Sequence, residues 1–244
     1  MDMNELAEKI EILGRDRPQS HLRDPLPEDI IDVVLSGQDP KRACVTCSFQ
    51  AEDVLLLHYL RERIPDIPVL FLDTGYHFAE TYTYRDAMVS ALKLNIVNIL
   101  PLQTVAQQES EFGSTYQSDP TRCCHMRKVE PLMRALDSYD IWFTGLRRDQ
   151  SSTRQNLKTI EQYRCPNGKT LLKVSPLADW TWGRVWSVVR EKNIPHLPQY
   201  DEGYLSIGCQ PCTTLPVDPN NPRSGRWGGT KLECGIHTLS EKIE

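Results

Sequence analysis

Apolar positions fall first at helical spacing. Met3, Leu6, Ile10 and Leu13 form one stripe, which predicts a helix over residues 3–13. Pro25-Leu26-Pro27-Glu28 opens a second short helix through Leu35. Beyond these two packing helices, short apolar runs alternate with longer periodic ones. Residues 42–49, small and β-branched, predict a buried strand. Val54, Leu55, Leu57 and Leu60 then place a helix over 51–63, ended by Pro65. Residues 68–72 predict a second strand, from which Asp73-Thr74-Gly75 turns out. A helix over 77–93 and a strand over 95–100 follow. Asp119-Pro120 reads as an N-cap and first helical residue, opening a helix to about Leu136. Residues 141–144 and 171–174 predict further strands, and 180–192 a helix. From about Pro195 the periodicity gives way to Pro, Gly, Asn and Asp.

This alternation predicts an α/β fold, a mostly parallel sheet with helices on both faces. Ligands in such sheets sit at the carboxyl ends of the strands. The loops 48–53, 73–77 and 145–154 are therefore the candidate walls of a site. No repeat and no clear interdomain linker is found. The chain reads as one domain made of a helical packing segment (1–40), an α/β core expected to bind a nucleotide and to hold the paired-cysteine site (41–215), and a mobile catalytic tail (216–244).

Composition narrows the function. A chain of 244 residues can bury a core without disulfide staples. A formal net charge of −5 argues against a general nucleic-acid partner. Local basic clusters, at Arg147-Arg148 and from Arg223 to Arg226, suit a small anion instead. No apolar run is long enough to span a bilayer, and Met1 to Gly14 reads as a helix rather than a leader. The expectation is a cytoplasmic protein with no membrane partner. Eight cysteines in that setting serve metals or catalysis rather than disulfides.

The cysteines divide by context. Cys44 and Cys47 fit C-x-x-C, but residues three apart in a strand point to opposite faces, so they read as buried small hydrophobes. Cys165 reads as an ordinary free thiol. Adjacent Cys123-Cys124 would close a strained disulfide ring. Their place in the first turn of a predicted helix lowers thiol pKa and favours thiolate ligands. Cys209-Gln210-Pro211-Cys212 is a two-ligand chelate. Four thiolates suit either zinc or an iron–sulfur cluster, and neighbouring ligands are easier to place on separate iron atoms than on one small ion. Lys128, four residues after Cys124 on the same helical face, is either a solvated lysine or a cation reaching toward an anionic substrate. In the tail, Arg223 and Arg226 can clamp a phosphate or sulfate, glycines give backbone freedom, and Cys234 is a candidate nucleophile. His237 would lower its pKa or orient a substrate.

Taken in order, a set of segments resembles the assimilatory adenylyl-sulfate reductases, within the wider phosphosulfate reductase family. They are Ser48-Phe49 with Glu52-Asp53, Leu72-Asp73-Thr74-Gly75, Cys123-Cys124 with Arg127-Lys128, and Thr144 to Ser151 with Thr153-Arg154. Cys209-x-x-Cys212, Gly225-Arg226-Trp227 and Glu233-Cys234-Gly235-Ile236-His237 complete it. The resemblance implies an adenine-nucleotide alpha-hydrolase-like fold with a catalytic tail. It implies a [4Fe–4S] cluster on Cys123, Cys124, Cys209 and Cys212, and Cys234 as nucleophile. By position it implies Ser48, Lys128, Arg154, Arg223, Arg226 and His237 as substrate contacts. The implied reaction reduces adenylyl sulfate to sulfite and AMP through a Cys234 thiosulfonate, with thioredoxin or glutaredoxin as reductant. The 3′-phosphorylated nucleotide is a second substrate of some cluster-bearing members, and association of identical chains is compatible with the sequence. One departure stands out: Phe49-Gln50-Ala51 holds no glycine where the related phosphate loop carries them. Two rivals remain at this level, an ATP-dependent sulfurtransferase on the same fold and a non-catalytic four-cysteine zinc module.

Overall fold

The computed structural model describes residues 3–15, 25–218 and 221–237. The side chains of Met3 and Leu13, and residues 219–220 and 238–244 of the 216–244 tail, lie outside the described residues. The two packing helices form as expected, α1 (Met3–Arg15) and α2 (Pro27–Leu35), with Pro27 in the first turn of α2. The stripe buries Leu6 and Ile10.

The sheet then builds in βα steps. β1 (Ala43–Thr46), α3 (Ala51–Arg61), β2 (Pro68–Leu72), α4 (Ala79–Leu92) and β3 (Asn95–Ile99) fall where the pattern placed them. β4 (Ile141–Phe143), β5 (Ile160–Arg164) and β6 (Thr170–Val174) complete a six-stranded sheet of order β3-β2-β1-β4-β6-β5. Every pairing is parallel except β5 on β6. β5 was not read from the sequence. It is the first arm of a hairpin whose turn holds Asn167-Gly168, with Gly168 at φ 86°. The order reverses between β1 and β4, the point where such sheets open a crevice at their carboxyl ends.

Helices cover both faces. α1, α2, α3, α4 and α9 (Trp182–Glu191, capped by Thr181) pack over one apolar layer that includes Cys47 and Phe49. α8 (Glu130–Leu136) and Ile236 of the C-terminal segment cover the other, which includes Cys44 and Trp142. The two strand cysteines thus face opposite sides, as their spacing required. Both are free and buried, and so is Cys165.

Two helices in the β3–β4 crossover were also missed, α5 (Val105–Phe112) and the single turn α6 (Thr115–Ser118). α5 buries only Gln108, so it carries no apolar stripe. Its signal is the capping box between Thr104 and Gln107. Asp119 caps α7 (Pro120–Cys124) by accepting from the Arg122 N–H at 2.9 Å. The helix does not run straight to Leu136, because a π turn over His125–Val129 joins α7 to α8. Such wide turns recur at functional sites, and this one carries Lys128. Among the described residues no helix is long and apolar enough to cross a membrane.

Candidate active site

The crevice at the β1/β4 reversal is a cavity of about 170 Å³. Its floor comes from the strand ends at Thr46, Leu72 and Thr144, and its walls from the three loops named from the sequence. Ser48, Lys128, Arg154, Arg223, Arg226, Cys234 and His237 all line it. Residues from five separate stretches of chain are thereby brought to one place.

The glycine-free loop solves its backbone problem with a side chain. Phe49 sits in the left-handed region at φ 59°, where a side chain is unfavourable. Its ring is fully buried and packs edge-on against Phe71 and Tyr84, so core packing holds the strained turn. Behind it, Ser48 donates from both N–H and Oγ to Asp53 Oδ2, each at 2.7 Å. Burial pushes the Asp53 carboxyl up to about 6, against the pull of those two hydrogen bonds. Gly145 lets the β4 loop press on this carboxylate: a Cβ there would lie 2.3 Å from Asp53 Oδ1. The loop is fixed by Arg147, whose Nη2 donates to Glu52 Oε1 at 2.9 Å in a pair with both side chains under 7% exposed.

The four motif cysteines line one small adjoining cleft, with Arg127, Lys128 and Trp227 around it. The irregular segment after Pro195 reaches it through a bridge between His77 and Cys209 and a Gln210 N–H bond to the Tyr76 carbonyl. All four are free thiols. Burial raises Cys123 and Cys124, and it raises Cys212 to about 11, which corrects the expectation that the helix start would lower the first two. Burial also works against ionisation at Cys209, but Lys128, the Thr74 hydroxyl and Arg226 outweigh it and lower that thiol. The lining holds no carboxylate, so the donor set is soft sulfur throughout and suits a thiolate-bound metal group. Among the described residues no group of three or more His, Cys, Asp and Glu side chains is arranged to hold a metal ion.

Lys128 lines both the cleft and the cavity. Burial opposes its charge, but Cys209, Cys124 and Cys234 outweigh burial and keep it protonated. Arg226 is 4% exposed, lies over the Trp227 ring at 4.6 Å and has no carboxylate partner among the described residues. Arg127 is equally buried and is held by the Thr74 carbonyl and Gln108. Two buried arginines and the part-buried Lys128, none with a carboxylate partner among the described residues, mark a region built to receive negative charge.

The C-terminal segment is folded against the body. Cys234 is half-buried on the second apolar layer. His237 stacks on Trp142 at 5.4 Å, and its Nδ1 is buried without a partner. Burial, then the cations Lys173, Arg154 and Arg223, hold its pKa well below the usual range. The imidazole is therefore neutral and adds no positive charge beside Cys234. Sequence reasoning missed Glu233 as a site residue. Its carboxylate pairs with Arg154 Nη2 at 2.7 Å and is held down to about 2, as Arg154 and Arg223 outweigh burial. No local pattern predicts a contact across 79 residues.

The fold and cavity define an α/β protein that presents a cysteine to a cationic crevice at the sheet's reversal point. The phosphoadenosine phosphosulfate reductase domain model matches residues 42–215. An adenosine 5′-phosphosulfate reductase of Streptomyces coelicolor is 42% identical over 198 residues, 80% of this chain and 82% of that protein. One from Mycolicibacterium smegmatis is 43% identical over 188 residues, 76% of this chain and 78% of that protein. The chain belongs to the phosphoadenosine phosphosulfate reductase family. The crystal structure of a phosphoadenylyl-sulfate reductase from Candida auris shares the fold, with TM-score 0.67 at 20% identity over 88% of this chain and 98% of that one.

Proposed function

We propose that the chain reduces adenylyl sulfate to sulfite and AMP in assimilatory sulfate reduction, with Cys234 as nucleophile and thioredoxin as electron donor. The observation that carries this reading is that Cys234 opens into the same cavity as Lys128, Arg154, Arg223 and Arg226. A thiolate attacking a sulfonate meets oxygens of its own charge. Cations fixed around the sulfonate neutralise that repulsion most strongly in the transition state. The names of the relatives at 42–43% identity support the unphosphorylated nucleotide as substrate. The 3′-phosphorylated form is the second substrate to test.

In the first step Cys234 Sγ bonds to the substrate sulfur, and the sulfur–oxygen bond to AMP breaks with its electron pair leaving on AMP. In the second, a donor thiolate bonds to Cys234 Sγ, and sulfite departs with the electron pair of the sulfur–sulfur bond. The donor's second thiol closes the donor disulfide and releases Cys234, so two electrons come from one dithiol. His237 Nδ1, buried and unpartnered, is placed to hydrogen-bond the substrate. Ser48 is turned toward Asp53 and holds the nucleotide end of the cavity. The same reading divides the chain into a packing segment (1–40), a core (41–215) and a mobile catalytic tail (216–244).

Cys123, Cys124, Cys209 and Cys212 would hold a [4Fe–4S] cluster, which the four thiols of their carboxylate-free cleft fit. Bound there, such a group adds net negative charge against which Lys128 is kept charged and fixed. Ligation would require the raised thiols to release their protons to solvent as the metal binds.

The test is an anaerobic assay of sulfite and AMP with adenylyl sulfate and thioredoxin, alongside iron content. Cys234→Ser should abolish sulfite release and keep its iron, while Cys209→Ser should lose iron. Turnover by Cys234→Ser would remove the nucleophile from the account.

A further inference from the structure

Besides the buried Ile236 and the His237–Trp142 stack, one carboxylate holds the segment bearing the nucleophile. Glu233 directly precedes Cys234. Its Oε1 accepts from Arg154 Nε at 2.8 Å, Thr153 Oγ1 at 3.0 Å and Ser151 Oγ at 3.1 Å. Its Oε2 accepts from Arg154 Nη2 at 2.7 Å and lies 3.7 Å from Arg223 Nη2. Arg223 also donates from Nε to the Leu232 carbonyl at 2.9 Å. The remaining Arg154 nitrogen is bonded to Gln150. The fork of Arg154 is thus fully engaged, although the residue lines the cavity. Neither arginine has another carboxylate partner among the described residues. A planar carboxylate on a guanidinium fork has the geometry of a phosphate or sulfate on the same fork.

We propose that Glu233 is a positioning residue that works as an exchangeable clasp. Its carboxylate docks Cys234 by occupying the Arg154–Arg223 donors, and an oxyanion entering the cavity takes those donors and loosens the segment, which Ile236 and His237 still hold against the body. The inference rests on the proposed function for its purpose, since the cavity must take a phosphosulfate nucleotide. The exchange itself needs only an oxyanion. Glu233 is mostly covered but not sealed, its side chain 11% exposed. Cys234 stays beside the cavity for the first step, and the loosened hold lets an external thiol reach it in the second.

The test is the rate of alkylation of Cys234 by iodoacetamide, read by peptide mass spectrometry on the full chain with its metal as isolated. The wild-type protein is measured with AMP, with inorganic sulfate, and with chloride at equal ionic strength. AMP and sulfate should raise the rate by about tenfold or more, the scale set by losing a charge-assisted forked pair, and chloride should not. Glu233→Gln should react fast without any oxyanion and respond to none, and Glu233→Asp should restore the wild-type pattern. In steady state Glu233→Gln should lower kcat without raising KM. A wild-type rate left unchanged or lowered by AMP, or a Glu233→Gln rate equal to wild type, overturns the clasp. The wild-type arms need no variant to fold. The alkylation readout stands even if the chain fails to reduce adenylyl sulfate, so the two failures are distinguishable.

Discussion

Adding one methyl group at Gly208 should separate activity from stability. A Cβ there would lie 2.0 Å from Arg226 Nη2, 2.4 Å from Cζ and 2.5 Å from Nη1. Ordinary contact begins near 3.4 Å, so the guanidinium must retreat by roughly 1 Å or more. It is the far end of a long side chain with no carboxylate to hold it, so the fold loses little, under about 1 kcal/mol. The cavity loses a fixed cation. A hydrogen bond to a charged group is worth about 1.5–3 kcal/mol, and a 1 Å misplacement at a reacting centre can cost ~100-fold. Gly208→Ala should therefore lower kcat/KM for sulfite formation by about 10- to 100-fold while its urea midpoint stays near wild type. Gly145→Ala is the contrasting control. Its Cβ would meet not only Asp53 Oδ1 but also the Asp53 N and Cα at 3.2 and 3.3 Å, so helix backbone must move. That variant should lose about 1–3 kcal/mol of stability. If Gly208→Ala kept its kcat/KM within about threefold (under 1 kcal/mol), or lost as much stability as Gly145→Ala, the place assigned to Arg226 would be wrong.

Two further outcomes follow from buried charge. Glu52→Gln should destabilise by about 1–3 kcal/mol in urea denaturation, because Arg147 loses its buried carboxylate and keeps only the half-exposed Asp149 Oδ2 at 3.1 Å. Asp53 should give the opposite sign above neutral pH. Its folded pKa of about 6 lies above the usual 3.8, so the folded protein holds the proton more tightly than the unfolded chain. Stability from this group is complete below about 3.8 and falls as pH rises through about 6. Asp53→Asn should accordingly gain on the order of 1–3 kcal/mol over wild type at pH 8 and nothing at pH 3, measured from urea midpoints at both.

What was legible in the sequence was what local pattern controls. Strands β1 to β4 and β6 are apolar runs, α3, α4 and α9 follow them, and the three loops at their carboxyl ends line the cavity. Spacing and context singled out the cysteines, Lys128, Arg223, Arg226 and His237 as candidates, and the family resemblance added Ser48 and Arg154 and gave the set its roles. What escaped was weakly amphipathic or long-range. In β5 only Ile160 and Tyr163 are buried, so no clean alternation marks it, and the Asn-Gly turn was the available clue. The polar α5 betrays itself only at its cap. The effect of burial on Cys123 and Cys124 and the charge state of His237 depend on neighbours from other elements. The Glu233–Arg154 and Glu52–Arg147 pairs join residues 79 and 95 apart.

The most direct measurement is to mix the iron-loaded protein with adenylyl sulfate and no reductant, then map its peptides by mass. The account predicts one SO₃ added to the peptide containing Cys234, released as sulfite when thioredoxin is supplied. An unmodified Cys234 peptide in a sample that has already formed AMP, or an adduct on another cysteine, would contradict it.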